Sequence, residues 1–168
     1  MKNFLFFVGS YETKASANGV CTKKIVEELS KNNKVYVISE KRGRHDYTIS
    51  KDKNVEIYKY WRNLSSYFSE KYGMIKFSRF LWYIYQIIYF LVWPLTSPFL
   101  VKKFVRKFKK INQINKIDTI IAVHNSLENC IAGCIIKKKN PNIKLYLYNL
   151  DAISGGYVLR SCPQVSGA

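Results

Sequence analysis

The chain is poor in the residues and motifs that mark common catalytic sites. Its 168 residues include only two histidines and four cysteines, and they contain no H-E-x-x-H or other dense metal pattern. Neither G-x-G-x-x-G nor G-x-x-x-x-G-K-[ST] occurs, and no Ser/His/Asp triad has a recognisable context. These absences disfavour a Rossmann dehydrogenase, a P-loop enzyme and a metalloenzyme, and we expect neither a metal nor a cofactor.

The cysteines also lack the spacing of a disulfide framework or a zinc ribbon. Cys130 and Cys134 share one face of a predicted helix, which favours small buried hydrophobic side chains over metal ligands; the other two cysteines are Cys21 and Cys162. The apolar run after Lys2 is too short for a secretory signal. We therefore expect reduced thiols and a cytoplasmic protein.

Acidic residues are scarce. There are 11 Asp and Glu against 28 Lys and Arg, which gives a formal net charge of +17. Such a balance favours an anionic partner, which can be a nucleic acid, an acidic lipid surface or a phosphorylated substrate. The abundance of Lys, Asn, Ile and Tyr is equally explained by a coding bias. The hydrophobic fraction of 48% indicates a globular chain with a substantial core.

The first 38 residues predict one strand, loop, helix and strand unit. An apolar run over 4–8 ends at Gly9, a helical pattern covers 20–31, and a second apolar run covers 35–38. Within the helix, Cys21, Ile25 and Leu29 are expected to face the sheet. Continuous apolar runs are typical of parallel strands covered on both faces, so the pattern predicts an α/β fold: a Rossmann-like parallel sheet in a single domain.

The α/β pattern continues after a predicted basic loop over 40–53. This loop is a phosphate or nucleic-acid patch or simply a solvated connection. Further strands are predicted over 55–60, 117–123 and 145–150. A helix is predicted between the last two strands, and Asn125 with Glu128 resembles a capping box at its beginning.

Polar residues follow the predicted strands where ligands collect on parallel sheets, beyond the carboxyl ends. His124, Asn149 and Asp151 all fall at strand ends, on the same edge as the loop from Gly9 to Gly19. We expect His124 and Asp151 to be catalytic. Each also has an ordinary structural interpretation, as a loop or cap residue. The expected substrate-binding residues are Asn18, Gly19, Asn125 and Asn149.

A nearly continuous apolar and aromatic run covers 77–101 and has basic residues on both sides. Pro94, Pro98 and the central Gln86 argue against a membrane span. The pattern favours a helix at the interface of an anionic membrane, on the inner face, over a helix buried in a domain or partner interface. The residues expected at the membrane surface are Trp82, Tyr85, Tyr89, Trp93, Lys102, Lys103, Arg106 and Lys107.

Four segments taken together carry a family resemblance: FLFFVGSY, SANGVCTKKIVEELSKNNKVYVIS, KIDTIIAVHNS and IKLYLYNLDAI. Their order resembles the amino-terminal domain of GT-B glycosyltransferases of the family 4 type, over about residues 1–151. On this interpretation, residues about 72–113 form a helical insert, and residues 152–168 form an irregular tail at an expected truncation point. The family's frequent histidine falls on Asn149, so His124 or Asp151 takes its place.

The resemblance implies the acceptor-binding half of a sugar transferase. Such enzymes use a nucleotide-sugar donor, and here the acceptor is a lipid-linked or membrane-surface glycan. Gly19 is then near the cleft between two domains, and a missing domain or a partner subunit binds the donor, so we expect no transfer by this chain alone. The alternatives are a non-catalytic α/β scaffold at a membrane surface and a nucleic-acid-binding protein, which we do not expect because no recognised module is present.

Overall fold

A computed structural model describes residues 1–9, 11, 17–41, 49–52, 54–92, 97–124 and 126–149. The strands are β1 (Asn3–Val8), β2 (Lys34–Glu40), β3 (Ile49–Asp52), β4 (Val55–Tyr60), β5 (Thr119–Val123) and β6 (Lys144–Tyr148). The helices are α1 (Ala17–Ser30), α2 (Leu64–Tyr72), α3 (Ile75–Val92), α4 (Pro98–Ile114) and α5 (Leu127–Lys139).

The strands form one sheet in the order β3-β4-β2-β1-β5-β6. Five strands are parallel, and β3 pairs with β4 in the antiparallel direction at the edge. Strands β1 and β2 are central and buried, as their continuous apolar runs predict. The predicted fold class, a Rossmann-like α/β domain with helices on both faces of a parallel sheet, is confirmed.

The core consists of two layers separated by the sheet. On one face, Val26 of α1 packs with Phe6, Val37 and neighbouring strand residues. On the other, α4 and α5 pack on the alternate side chains of the same strands, and Phe7 stacks on Phe104 with ring centroids 5.3 Å apart. The period of two along the strands therefore distributes one apolar run between two helical layers.

The buried face of α1 differs from the predicted one. Thr22 and Val26 are fully buried, whereas Ile25 and Leu29 are partly buried at the side of the core and Cys21 is exposed. The helix is thus rotated so that a threonine, and not a cysteine, contacts the sheet. Apolar spacing alone predicted the wrong face because the true stripe includes this small polar side chain.

Two further local predictions are wrong. The predicted loop over 40–53 contains the end of β2 and the whole of β3, whose polar residues hid a four-residue edge strand; residues 42–48 lie outside the described part of the chain. The prediction of buried thiols holds for Cys130 but not for Cys21 or Cys134, which are exposed, and Cys162 lies outside the described residues.

The crossover from β4 to β5 contains α2, α3 and α4, and these helices pack differently. The apolar side of α4 is part of the core through Leu100, Phe104, Phe108 and Ile111. Helix α3 packs mainly on α2, with which it forms a helical hairpin (64–92). Across the described ranges, no helix combines the length and apolar character needed to cross a membrane.

Candidate functional site

The strand order places a topological switch point between β1 and β5. The chain leaves β1 for β2 on one side and later returns to β5 on the other, so the connections that follow β1 and β5 diverge. Ligands of open α/β sheets bind in the crevice that this divergence creates, at the carboxyl ends of the strands. Gly9 follows β1 there and His124 follows β5. The backbone N–H of His124 donates to the carbonyl of Tyr148 at 2.8 Å, which holds β5 and β6 together at this edge.

His124 has an unusual side-chain environment. Its ring is half-buried, and its Nδ1 atom is buried without a hydrogen-bond partner among the described residues. The hydroxyl of Ser126 is in the same condition two residues later. Buried polar atoms are normally paired, so two unpaired ones at a switch point favour a site that a polar ligand or water completes.

The hydroxyl of Ser126 lies at the beginning of α5. Ser126 is the N-cap of this helix, but its side chain makes no capping hydrogen bond. The predicted capping box from Asn125 and Glu128 is therefore wrong, because the cap is one residue later and Glu128 turns toward a different partner. Asn125 itself lies outside the described residues.

The other predicted site residues fall into two groups. Gly19 is buried in the first turn of α1, and Asn149 is exposed directly after β6, at the carboxyl edge of the sheet. The backbone of Asn18 is in α1, but its side chain is outside what the structure describes, and so is the whole of Asp151. The structure therefore brings His124 and Asn149 to one edge, and the predicted pairing of His124 with Asp151 stays a prediction.

A buried ionic cluster at the same edge was missed by sequence reasoning. The guanidinium of Arg62 lies between two carboxylates, with Nη1 3.6 Å from Glu40 Oε2 and Nη2 3.8 Å from Glu128 Oε1. Both carboxylates are buried. Ser97 donates its backbone N–H to Glu128 Oε1 at 2.7 Å and its hydroxyl to the carbonyl of Arg62 at 2.7 Å. We call these four residues the Arg62 cluster.

The positions of these four residues explain why the cluster joins separate elements. Glu40 ends β2, Arg62 follows β4, Ser97 precedes α4 and Glu128 is in the first turn of α5. In the sequence, Glu40 and Arg62 are charged residues at the end of predicted strands, and this position is a weak indication of a buried ionic group. The indication is weak because most charged residues at strand ends are solvated.

The opposite face of the sheet also holds polar groups near the carboxyl edge. Lys59 is buried, and its Nζ donates to the carbonyl of Tyr11 at 3.4 Å. The hydroxyl of Ser39 is buried and has no hydrogen-bond partner in the described part of the chain. These groups lie on the α1 side, so both faces contribute polar atoms to the carboxyl edge.

A cavity lies at the other end of the sheet. It has a volume of about 690 Å³ and is lined by Lys2, Lys116, Lys139 and Lys144 among others. Its carboxylate, Asp118, already accepts the backbone N–H of Asn3 at 2.8 Å. We favour the carboxyl edge as the functional site because the switch point is there, together with the buried atoms of His124 and Ser126 that have no partner among the described residues. No group of three His, Cys, Asp or Glu side chains in the described ranges is suited to hold a metal.

The residues predicted for the membrane surface divide by helix face. Lys102 and Arg106 are exposed on the outer side of α4. Lys103 donates from Nζ to the carbonyl of Trp61 at 3.1 Å, and the Nζ of Lys107 lies 3.4 Å from the ring centroid of Tyr58. Burial lowers the pKa of both amino groups. These two lysines therefore pack against the end of β4 and its following residue.

The aromatic members of that prediction are on α3 or just beyond it. Trp82 is about half exposed. Tyr85 and Tyr89 belong to the backbone of α3, and their side chains are not described; Trp93 lies outside the described residues.

The fold is a doubly wound α/β domain that has buried polar side chains at its switch point. Comparisons of the chain with protein-family models, with curated proteins and with solved structures find no match.

Proposed function

We propose that this chain is the acceptor-binding half of a glycosyltransferase, which moves a sugar from a nucleotide-sugar to a lipid-linked or membrane-surface glycan. The observation that carries the proposal is the buried Nδ1 of His124 at the switch point, which has no partner in the part of the chain that the structure describes. The order of segments that resembles GT-B amino-terminal domains supports the same function. The proposed location is the cytoplasmic face of the membrane, where nucleotide-sugars and lipid-linked acceptors meet.

The proposed chemistry uses His124 as a general base. The His124 imidazole accepts the proton of an acceptor hydroxyl while that oxygen bonds to the anomeric carbon of the donor sugar. The bond from the anomeric carbon to the donor phosphate breaks, and the nucleotide leaves with the bonding electrons. A second α/β domain, in the same polypeptide or in a partner subunit, binds the nucleotide-sugar. This division of labour is what the resemblance implies.

Acceptor binding provides the direct test. A short-chain lipid-linked saccharide is titrated into the protein and followed by calorimetry, with a free nucleotide-sugar as the comparison ligand. We expect the saccharide to bind and His124→Gln to weaken it about tenfold, as the loss of a hydrogen bond at a buried site does. Asn142→Ala, at the opposite edge of the sheet, is the matched control. Equal affinities for His124→Gln and the unmodified protein would refute the proposed site.

A second candidate is a non-catalytic scaffold at a membrane surface. The exposed apolar side chains of α3 favour this candidate, because an exposed apolar surface indicates an interaction site and does not imply catalysis. A scaffold binds lipid vesicles regardless of saccharide, and His124→Gln leaves its binding unchanged. The calorimetric titration therefore separates the two candidates.

A further inference from the structure

Helix α3 exposes an unusual amount of apolar surface. One side of α3 contacts α2: the hydroxyl groups of Ser65 and Ser78 each donate to the other residue's carbonyl at 3.0 Å, and the rings of Phe68 and Phe77 meet edge to face at 5.0 Å. The side of α3 away from that contact carries Phe80, Tyr83 and Ile87, which are 61, 65 and 68% exposed. These positions repeat at intervals of three and four, so they form one continuous apolar stripe.

The charges around the stripe favour one kind of partner. Residues 63–114 contain nine basic residues and one acidic residue, Glu70. Lys76 and Arg79 are exposed on α3 itself, and Lys102 and Arg106 are exposed on α4. An apolar stripe with basic residues beside it is complementary to an anionic lipid surface. A second copy of the chain would bring two surfaces of the same charge together.

We propose that the helical hairpin of α2 and α3 is the element that enters the headgroup region of an anionic membrane, and that the outer face of α4 adds electrostatic attraction only. Helix α4 does not insert, because its apolar side is already buried on the sheet. Lys103 and Lys107 take no part, because they contact Trp61 and Tyr58. The inference deepens the proposed function, whose acceptor is at a membrane, but it does not depend on any sugar being bound.

The base of the hairpin places this surface next to the candidate site. Arg62 precedes α2 and Ser97 precedes α4, and the hydrogen bond from the Ser97 hydroxyl to the Arg62 carbonyl joins the two ends of the connection. Both residues belong to the cluster that includes Glu128, four positions after His124. A membrane bound by the hairpin therefore lies close to the carboxyl edge of the sheet.

Vesicle co-sedimentation tests the proposal without a glycan acceptor. Vesicles that contain phosphatidylglycerol are compared with vesicles of phosphatidylcholine alone. We expect Phe80→Ser with Ile87→Ser to weaken binding to the anionic vesicles by at least about tenfold. The matched control is Ile114→Ser, which removes an isoleucine that is even more exposed, at the end of α4. It should bind like the unmodified protein.

The charge variants test the contribution of α4. Lys102→Gln with Arg106→Gln should weaken binding about fivefold for each residue removed. Lys24→Gln with Lys138→Gln removes the same charge from exposed positions on α1 and α5 and should have little effect. Equal losses for both pairs would mean attraction by net charge alone and would overturn the proposed surface.

The oligomeric state of the protein in solution tests whether a second copy of the chain, and not lipid, covers the stripe. Unmodified protein that sediments as a dimer, and becomes a monomer in the Phe80→Ser with Ile87→Ser variant, would assign the stripe to a second copy and overturn the lipid proposal. A monomer in both cases, with vesicle binding lost only in the hairpin variant, supports it. These vesicles contain no saccharide. The vesicle experiment therefore tests the membrane surface even if the protein turns out not to be part of a transferase.

Discussion

Ser97 donates its backbone N–H to Glu128 Oε1 at 2.7 Å, although the two residues are 31 positions apart in the chain. The Glu128 carboxylate is only 1% exposed and also faces the guanidinium of Arg62. It therefore fixes the beginning of α4 against the first turn of α5, immediately beside the candidate site. An acidic residue near a helix N-terminus also has a favourable interaction with the helix dipole.

Glu128→Ala should destabilise the protein by about 3 kcal/mol, because it leaves the buried N–H of Ser97 without its acceptor and removes one of the two carboxylates beside the Arg62 guanidinium. Glu128→Gln keeps an acceptor for Ser97 and should cost less. Urea denaturation gives the free energies of unfolding. The control is Glu27→Ala, whose surface pair with Lys23 at 3.9 Å is worth less than about 0.5 kcal/mol. A loss for Glu128→Ala no larger than for the control would contradict the cluster's structural role.

The sequence predicted the sheet well because its central strands are buried on both faces. The runs around Phe6 and Val37 have no polar interruption, and such runs have few alternatives once helical patterns lie between them. The candidate edge followed from the same reasoning, since parallel strands of one sheet end together. His124 was predicted at the carboxyl edge for this reason.

The Arg62 cluster was not predicted because it depends on contacts across the chain. Glu40, Arg62 and Glu128 come from three separate segments, and no local pattern indicates that they meet. The buried face of α1 was predicted wrongly for a related reason. Thr22 is buried against the sheet, and the polarity of its side chain does not predict this burial. Short polar strands such as β3 are set by their partner, here β4, and have little signal of their own.

Gly133→Ala should change stability by less than about 1 kcal/mol in spite of a tight fit. A Cβ at Gly133 meets Leu145 Cδ1 at 2.9 Å, but that atom ends a flexible side chain on an edge strand and is able to move. The helix gains up to about 1 kcal/mol from replacing glycine, which offsets the shift. Gly133→Val adds two more methyl groups toward Leu145 and Ala122 and should cost about 2 kcal/mol. Thermal denaturation of both variants distinguishes these effects; equal losses would show that Leu145 is fixed.

The described cysteines should differ in reactivity. Burial raises the pKa of the Cys130 thiol to about 11, with a smaller effect from Cys134, whereas Cys21 and Cys134 are exposed. Because the thiolate is the reactive form, iodoacetamide should modify Cys130 at least about tenfold more slowly than the other two. Peptide mapping by mass spectrometry measures the three rates. In urea the three rates should become similar, and a fast Cys130 in the folded protein would contradict its burial.

Glu56 connects β4 to Lys34 of β2 and should make stability sensitive to acid. Burial by itself raises the pKa of the Glu56 carboxyl. Hydrogen bonds from Tyr58 at 2.5 Å and from Lys34, whose Nζ is 3.3 Å away, outweigh burial and hold the pKa below its ordinary value of 4.5. A lowered carboxyl pKa contributes stability that is complete above the unfolded value and is lost as the pH falls through the folded value.

Glu56→Gln therefore tests this carboxylate through the pH dependence of stability. Above about pH 5 the unmodified protein should be more stable than the variant, by up to about 1 kcal/mol for a partly exposed group. The difference should shrink as the pH falls below 4.5, because protonation removes the charge that the variant never had. Urea denaturation of both proteins at a series of pH values measures the difference. A difference that stays constant across that range would contradict a lowered pKa of Glu56 in the folded protein.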